Sequence, residues 1–380
     1  MSTNVNHPYF SPNEVAFLCE RQRGKMAESQ EGKLRLHACA FIEAVSSKIG
    51  FPRATIATAQ TLFHRFYLFY PWKAFNYHDV AMATLYVSSK MHDTLKKPRD
   101  LLMVSYGVRY PELAAKVKHG GGEVEMDPAT VDEDRRRLLG IERSVMETIC
   151  FNFRVRLPFS YVIKVARELK VGKQLTKLAW RLSIDSHRTL APLQYPPHVL
   201  ALASILLAAL LDSREGPFGV KATDDQRSSH EIVALLGDKG PWEDRFHAQV
   251  EDLEGKPPVT ILIAAASTTT VATTSPQTPN TPTSPSSYSS YHTPGHTSTS
   301  TSSSMARVLQ VQPLYTSAQL TQLKIFLRER PHPYPPRDRG PIPGRDNSLF
   351  FQEPKTQNGE EETAQSVGGG TVRFLFGPEL

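Results

Sequence analysis

The 380-residue sequence contains little cysteine and no long hydrophobic run. Its cysteines, Cys19, Cys39 and Cys150, are odd in number and far apart, so no disulfide framework is indicated and a reducing compartment is favoured. The most apolar stretch, residues 199–211, is shorter than the roughly 20 residues that a bilayer span requires. It therefore predicts a buried helix, and we expect no membrane partner. The first residues lack the basic start and the apolar run of a signal peptide.

The sequence also lacks the motifs that carry chemistry. The glycine triplets at 120–122 and 368–370 have neither the Lys-Ser/Thr nor the strand–helix context of a phosphate loop, and no GxSxG, HExxH or paired CxxC motif occurs. His64 stands between Phe63 and Arg65 on a predicted helix, which favours a packed residue over a ligand or a base. We expect no catalytic residue, no metal site and no cofactor, and hence a binding protein rather than an enzyme.

What the sequence does contain is a succession of amphipathic helices. Apolar residues recur at helical spacing from residue 9 to about 160, and the pattern then starts again after Pro158. Each half has one nearly apolar helix, the third in its series. The sequence predicts an all-α fold of two tandem helical bundles. The predicted boundaries are an N-terminal helix and arm (1–29), a first bundle (30–155), a second bundle (156–260) and a tail (261–380).

The tail has a different composition. Residues 267–304 are rich in serine, threonine and proline and almost free of large aliphatic residues, so we expect them to be disordered. Five serines or threonines that precede proline are candidate phosphorylation sites: Ser275, Thr278, Thr281, Ser284 and Thr293. A short helix is predicted near 317–330, with one apolar stripe formed by Leu320, Leu323 and Leu327. The stripe fits equally a helix that packs on this chain and one that docks another subunit.

Several of these segments together resemble a known family. The helix "TIATAQTLFHRFYLFYP", the alanine-rich helix that ends near Lys90 and the following "KKPRDLL" are similar to the first box of a cyclin. The continuation "ERSVMETICFNFRVRLPFSYVIKVARELK" resembles the fifth helix of that box and the entry to the second. The resemblance covers roughly residues 9–250 and is strongest to the transcriptional class, cyclin K and cyclin T. It implies two tandem cyclin-box bundles.

The resemblance also implies a function and a site. A transcriptional cyclin is the regulatory subunit that binds and allosterically activates a cyclin-dependent Ser/Thr kinase acting on the C-terminal domain of RNA polymerase II, which promotes elongation in the nucleus. The cytoplasm is an alternative location, and a further subunit of the complex is an open question. Lys90, Glu142 and Phe151 match the family's kinase-binding positions, and Lys90 and Glu142 are expected to be exposed on one face. The alternatives are that Lys90 and Glu142 merely pair with each other and that Phe151 is a core aromatic.

A competing hypothesis is a general transcription factor of the IIB type, which binds DNA through two cyclin-like repeats. Its zinc ribbon needs four ligands at CxxC-type spacing, and three dispersed cysteines do not provide them. The net charge of +6 is mild, and the basic stretches "TLKKPRD" and "DRRRLLG" are short and flanked by acids. We therefore expect no direct contact with nucleic acid. The first box also lacks the Met-Arg-Ala-Ile-Leu signature of cell-cycle cyclins, which argues against a cell-cycle role.

Overall fold

The computed structural model describes residues 9–110, 126–215, 226–254 and 317–329, and the secondary structure of these ranges is helical apart from one isolated bridge between Val171 and Arg227. The predicted all-α fold is confirmed. The helices are α1 (Pro12–Arg23), α2 (Glu28–Ile49), α3 (Arg53–Phe69), α4 (Tyr77–Met91), α5 (Pro98–Arg109), α6 (Pro128–Thr148), α7 (Phe159–Glu168), α8 (Lys173–Asp185), a 3₁₀ turn (Ser186–Arg188), α9 (Ala191–Gln194), α10 (Pro197–Glu215), α11 (Ser229–Gly237), α12 (Trp242–Phe246), α13 (Val250–Glu254) and α14 (Ser317–Glu329).

Local sequence signals explain where several of these helices begin and end. Ser11 caps α1 in a reciprocal capping box with Glu14, and Pro12 occupies the first turn, where its missing N–H is not needed. Asn76 caps α4 by accepting a hydrogen bond from the backbone of His78. Gly50 ends α2 in the left-handed conformation (φ 83°), which glycine adopts without steric cost. These signals fix the lengths of the helices that carry the site.

The first bundle is built around α4. Val80, Ala83 and Val87 of this helix are fully buried, and its main neighbours are α2, α3, α5 and α6. The small alanines let the neighbouring helices approach closely. Because α3 and α6 both pack along α4, the ends of α4 and α6 are held in a fixed relation to each other, and this relation positions the site described below.

The second bundle repeats the arrangement around α10. Residues Val199 to Leu210 of this helix are buried, as the apolar run predicts, and its neighbours are α7, α8, α9, α11, α13 and α14. No helix in the described ranges has the length and apolar character to cross a membrane. The C-terminal helix α14 contributes Leu320, Leu323 and Leu327 to this second core. The candidate phosphorylation sites Ser275, Thr278, Thr281, Ser284 and Thr293 lie outside the described residues.

A third, smaller apolar cluster joins the two bundles. It is formed by residues of α1, α3 and α9 and the segment before α1: Phe10, Val15, Leu18, Cys19, Leu68 and Leu193. The backbone N–H of Phe10 donates to the carbonyl of Leu193 (2.9 Å), and Thr61 Oγ1 lies 3.0 Å from Nδ1 of His187 in the 3₁₀ turn. The segment before α1 and helix α3 therefore both contact the second half of the chain.

Candidate partner-binding surface

The ion pair between Lys90 and Glu142 connects the end of α4 to α6. Lys90 Nζ lies 2.6 Å from Glu142 Oε1, and it also lies 4.3 Å from the ring centre of Tyr86, one turn earlier on α4. Partial burial lowers the pKa of Lys90, but the hydrogen bond and the negative charge of Glu142 outweigh this effect, so the pKa lies above its ordinary value. Lys90 is therefore a permanent positive charge at neutral pH.

The two partners differ in how far they reach solvent. The Lys90 side chain is 43% exposed, whereas that of Glu142 is only 8% exposed. The expectation that both are exposed is wrong for Glu142, because the packing of α6 on α4 covers the carboxylate and leaves only the longer lysine at the surface. The alternative, that the two residues pair with each other, describes the contact within this chain. An ammonium group has three donors, so the pairing still leaves Lys90 able to donate to a partner.

Exposed apolar side chains occur on α6 and just after α4 and α6, the two helices that carry this ion pair. Leu139 lies one turn before Glu142, on the same side of α6, and is 39% exposed. Leu95, in the loop after α4, is 59% exposed, and Phe151 and Phe153, just past α6, are 56% and 50% exposed. Phe151 is not a core aromatic, so that alternative is wrong. Large apolar side chains at such exposure, on or next to the helices that carry a fixed charge, indicate a candidate surface for a partner.

The loop that presents Leu95 is held by polar contacts to α3. Nε2 of His92 lies 2.7 Å from Thr58 Oγ1, and the hydroxyl of Thr94 lies 3.1 Å from that of Thr55. The backbone N–H of Thr94 donates to the carbonyl of Ser89 (2.9 Å). Burial lowers the pKa of His92, so its ring is neutral at pH 7. Leu95 is therefore exposed on an ordered turn.

The turn that presents Phe151 is ordered in another way. Cys150 and Phe151 have φ values of 58° and 56°, a left-handed conformation that non-glycine residues seldom adopt. The backbone N–H of Phe151 donates to the carbonyl of Met146 (3.1 Å), and Arg65 Nε donates to the carbonyl of Thr148 (2.7 Å). These bonds satisfy the end of α6 and turn the Phe151 side chain outward. Strained backbone of this kind is found where surrounding contacts over-determine it, commonly at functional sites.

The sequence did not indicate which apolar side chains stay exposed to solvent. Leu95, Leu139 and Phe153 are also exposed and lie on α6 or just after α4 and α6, yet nothing in their local pattern distinguishes them from core positions. The tertiary packing alone shows that they remain uncovered. His64, by contrast, is fully buried beside Arg35 and Cys39, which confirms that it is a packed residue. Among the described residues no group of three or more histidine, cysteine or acidic side chains is close enough to hold a metal ion.

The first bundle is similar to a known protein family. Residues 9–154 match the family profile of the cyclin N-terminal domain. This segment contains the buried helix α4 and Lys90 at its end.

The chain is also similar to individual proteins. The chain is 35% identical over 221 residues to the CTD kinase subunit beta of Schizosaccharomyces pombe, covering 57% of this chain and 62% of the relative. It is 30% identical over 210 residues to the cyclin pch1 of the same species (54% and 58% covered) and 27% identical over 218 residues to human cyclin-K (55% and 35% covered). The matches thus span less than two thirds of each of these relatives.

A solved structure has the same fold. A chain in the crystal structure of the yeast RNA Pol II CTD kinase CTDK-1 complex superposes with a TM-score of 0.60 at 18% identity, covering 95% of both chains. This likeness extends beyond the first bundle and supports a common architecture.

Proposed function

We propose that this chain is the regulatory cyclin subunit of a cyclin-dependent Ser/Thr kinase that acts on the C-terminal domain of RNA polymerase II and thereby promotes transcription elongation. The observation that carries the proposal is the exposed Lys90, fixed by Glu142, together with the exposed Leu95, Leu139 and Phe151 on or just after the same two helices. Relatives named CTD kinase subunit beta and cyclin-K support the substrate class. The proposed location is the nucleus.

The proposed mechanism is allosteric. Kinase chemistry requires the lysine of strand β3 to pair with the glutamate of helix αC, and αC can rotate between a competent and an incompetent position. A cyclin that binds the competent position more tightly shifts the kinase toward it. The ion pair between α4 and α6 presents its charge from two rigid helices, so it fixes the register and orientation of the docked kinase. The surrounding apolar side chains supply the binding energy, and this chain supplies no catalytic group.

The proposal is tested by exchanging the charges of Lys90 and Glu142. Exchanging the two charges, Lys90→Glu with Glu142→Lys, retains an ion pair inside the fold while reversing the charge that a partner meets. The matched control is the pair Arg53–Glu43, which joins α3 to α2 at 2.7 Å and has side chains 43% and 30% exposed. We expect the Lys90/Glu142 exchange to reduce copurification of the coexpressed kinase and its activity on a polymerase C-terminal-domain peptide at least tenfold. The Arg53→Glu, Glu43→Arg exchange should leave both unchanged.

Two outcomes would overturn the proposal. Undiminished kinase binding by the Lys90/Glu142 exchange, with a melting temperature equal to that of the wild type, would mean that this face does not dock the kinase. A DNA gel shift by the purified chain, without kinase in the copurified material, would instead support the IIB-type hypothesis. Mass spectrometry of the copurified material also identifies any further subunit.

A further inference from the structure

The helix α14 is attached to the second bundle from a remote part of the chain. The other neighbours of α10, namely α7, α8, α9, α11 and α13, all lie between residues 159 and 254. In the first bundle, likewise, the main neighbours of the central helix α4 come from one continuous stretch of the chain, residues 28–148. After α13 the chain passes through residues 255–316 before α14 begins. Helix α14 is therefore an additional helix, which packs on a bundle already formed by the helices between residues 159 and 254.

The contact that α14 makes is one-sided. Leu320, Leu323 and Leu327 are 1%, 2% and 9% exposed and belong to the core around α10. On the opposite side Thr321 and Gln322 are exposed, and Ile325 is 48% exposed. Leucines at i, i+3 and i+7 that fill an apolar groove, with the reverse face left to solvent, are the usual pattern by which a peptide helix is recognised.

A helix of this length does not form by itself. Helix α14 has 13 residues, and isolated helices shorter than roughly 12–15 residues are marginal in water. Its order therefore depends on docking, so that folding and binding of this segment are one event. Covalent connection raises its effective concentration at the groove, and the entropic cost of closing the loop grows only slowly with the length of the intervening chain.

We propose that residues 317–329 are an intramolecular ligand, and that the face of α10 that they cover is a helix-binding groove specific for leucines at i, i+3 and i+7. The occupant in this chain is its own α14. Because the contact is made by one short helix joined through a long intervening segment, the occupant exchanges, and a helix of the same pattern added from outside competes for the groove. This proposal does not depend on kinase binding.

The first experiment uses the full-length chain and a fluorescent synthetic peptide of residues 317–329. Leu323→Asp places a charge in the groove contact and should release α14, whereas the matched control Ile325→Asp changes the exposed side of the same helix. We expect the peptide to bind the Leu323→Asp chain at least tenfold more tightly than the wild type or the Ile325→Asp chain. Amide exchange in α10 should rise in the Leu323→Asp chain alone. Equal peptide binding by all three chains would overturn the proposal.

The second experiment keeps the wild-type helix and cuts the connection. A specific protease site is inserted within 255–316 of the full chain, and the cleaved protein is diluted and passed through a sizing column. We expect the C-terminal fragment to separate on dilution and to be replaced by the labelled peptide, while the larger fragment remains folded and monomeric. Aggregation of the larger fragment, failure of the Leu323→Asp chain to fold, or retention of the fragment at nanomolar concentration would each make α14 a fixed part of the bundle. A dimer in place of the monomer would assign the groove to a second copy and overturn docking within the chain.

Discussion

Arg35 and His64 face each other in the interior of the first bundle, with Arg35 Nη1 3.3 Å from His64 Nδ1. A guanidinium group only donates, so Nδ1 must accept, and the remaining proton of the neutral ring lies on Nε2, 3.4 Å from the sulfur of Cys39. Burial, followed by the positive charge of Arg35, holds the pKa of His64 well below its ordinary value. Across the junction between the bundles, burial lowers the pKa of His187 to about 3.

These two histidines predict a loss of stability in mild acid. The unfolded chain binds a proton at each imidazole below pH 6.5, but the folded chain does not, so stability falls as the pH drops below 6.5 and is unaffected by these groups above it. At pH 5.5 the expected loss is about 1.4 kcal/mol for each histidine. Urea unfolding at pH 7.5 and 5.5 measures it. The double variant His64→Gln, His187→Gln should show a smaller difference between the two pH values, and an unchanged difference would contradict the assignment.

A second prediction concerns the buried carboxylate of Glu31. It accepts from Arg35 Nη2 at 2.7 Å and from Arg23 at 3.3 Å, and its side chain is 5% exposed. Glu31→Gln removes the negative charge and leaves Arg35 buried without it, which should cost about 3–5 kcal/mol of unfolding free energy. The matched control, Glu43→Gln in the exposed pair with Arg53, should cost less than about 1 kcal/mol. Chemical denaturation of both variants provides the comparison, and similar losses would refute the role of burial.

A third prediction separates stability from binding at Phe151. Its left-handed backbone carries a steric cost that glycine avoids, so Phe151→Gly should keep the melting temperature or raise it slightly. Kinase affinity should fall because an exposed phenyl group of the proposed interface is lost. The control is Lys170→Gly, at another exposed residue with a positive φ of 54°. It should alter stability similarly and leave kinase affinity unchanged, and an equal loss of affinity in both would refute the role of Phe151.

A fourth prediction orders the reactivity of the three thiols. Burial raises the pKa of Cys19 to about 11 and that of Cys39 to about 12, so neither forms appreciable thiolate at neutral pH. Cys150 is only half-buried at the turn after α6. Thiol labelling of the native chain at pH 7.5 should modify Cys150 first, and Cys19 and Cys39 only at the rate of unfolding. Peptide mapping identifies the order, and early labelling of Cys39 would contradict it.

A fifth prediction follows from the proposed kinase partner. Ser275, Thr278, Thr281, Ser284 and Thr293 precede proline, as a proline-directed kinase requires, and binding of the cyclin would raise their local concentration near the active site. We expect their phosphorylation in the complex coexpressed with active kinase. Phosphosite mapping against a catalytically dead kinase measures it. Equal occupancy in both complexes would show that another kinase modifies them.

Helical periodicity was sufficient to predict the all-α fold and the two buried helices, because the apolar spacing of α4 and the unbroken run of α10 each depend on local sequence alone. It placed Lys90 at the end of α4 for the same reason. The burial of Glu142 could not be predicted, since one polar residue on an amphipathic helix can face a neighbour or solvent depending on how α4 and α6 pack. The stripe of Leu320, Leu323 and Leu327 likewise fits any apolar groove, so only the tertiary structure places it on α10.

The contact between Phe10 and Leu193 has a consequence for synthesis of the chain on the ribosome. The first bundle is complete once residue 148 has emerged, but the apolar side of α1 gains its last partner only when α9 follows. During that interval Phe10 lacks the carbonyl of Leu193 that it bonds in the finished protein. An early segment of the second half thus completes a contact of the first bundle, and the apolar side of α1 stays incompletely covered until that segment has been made.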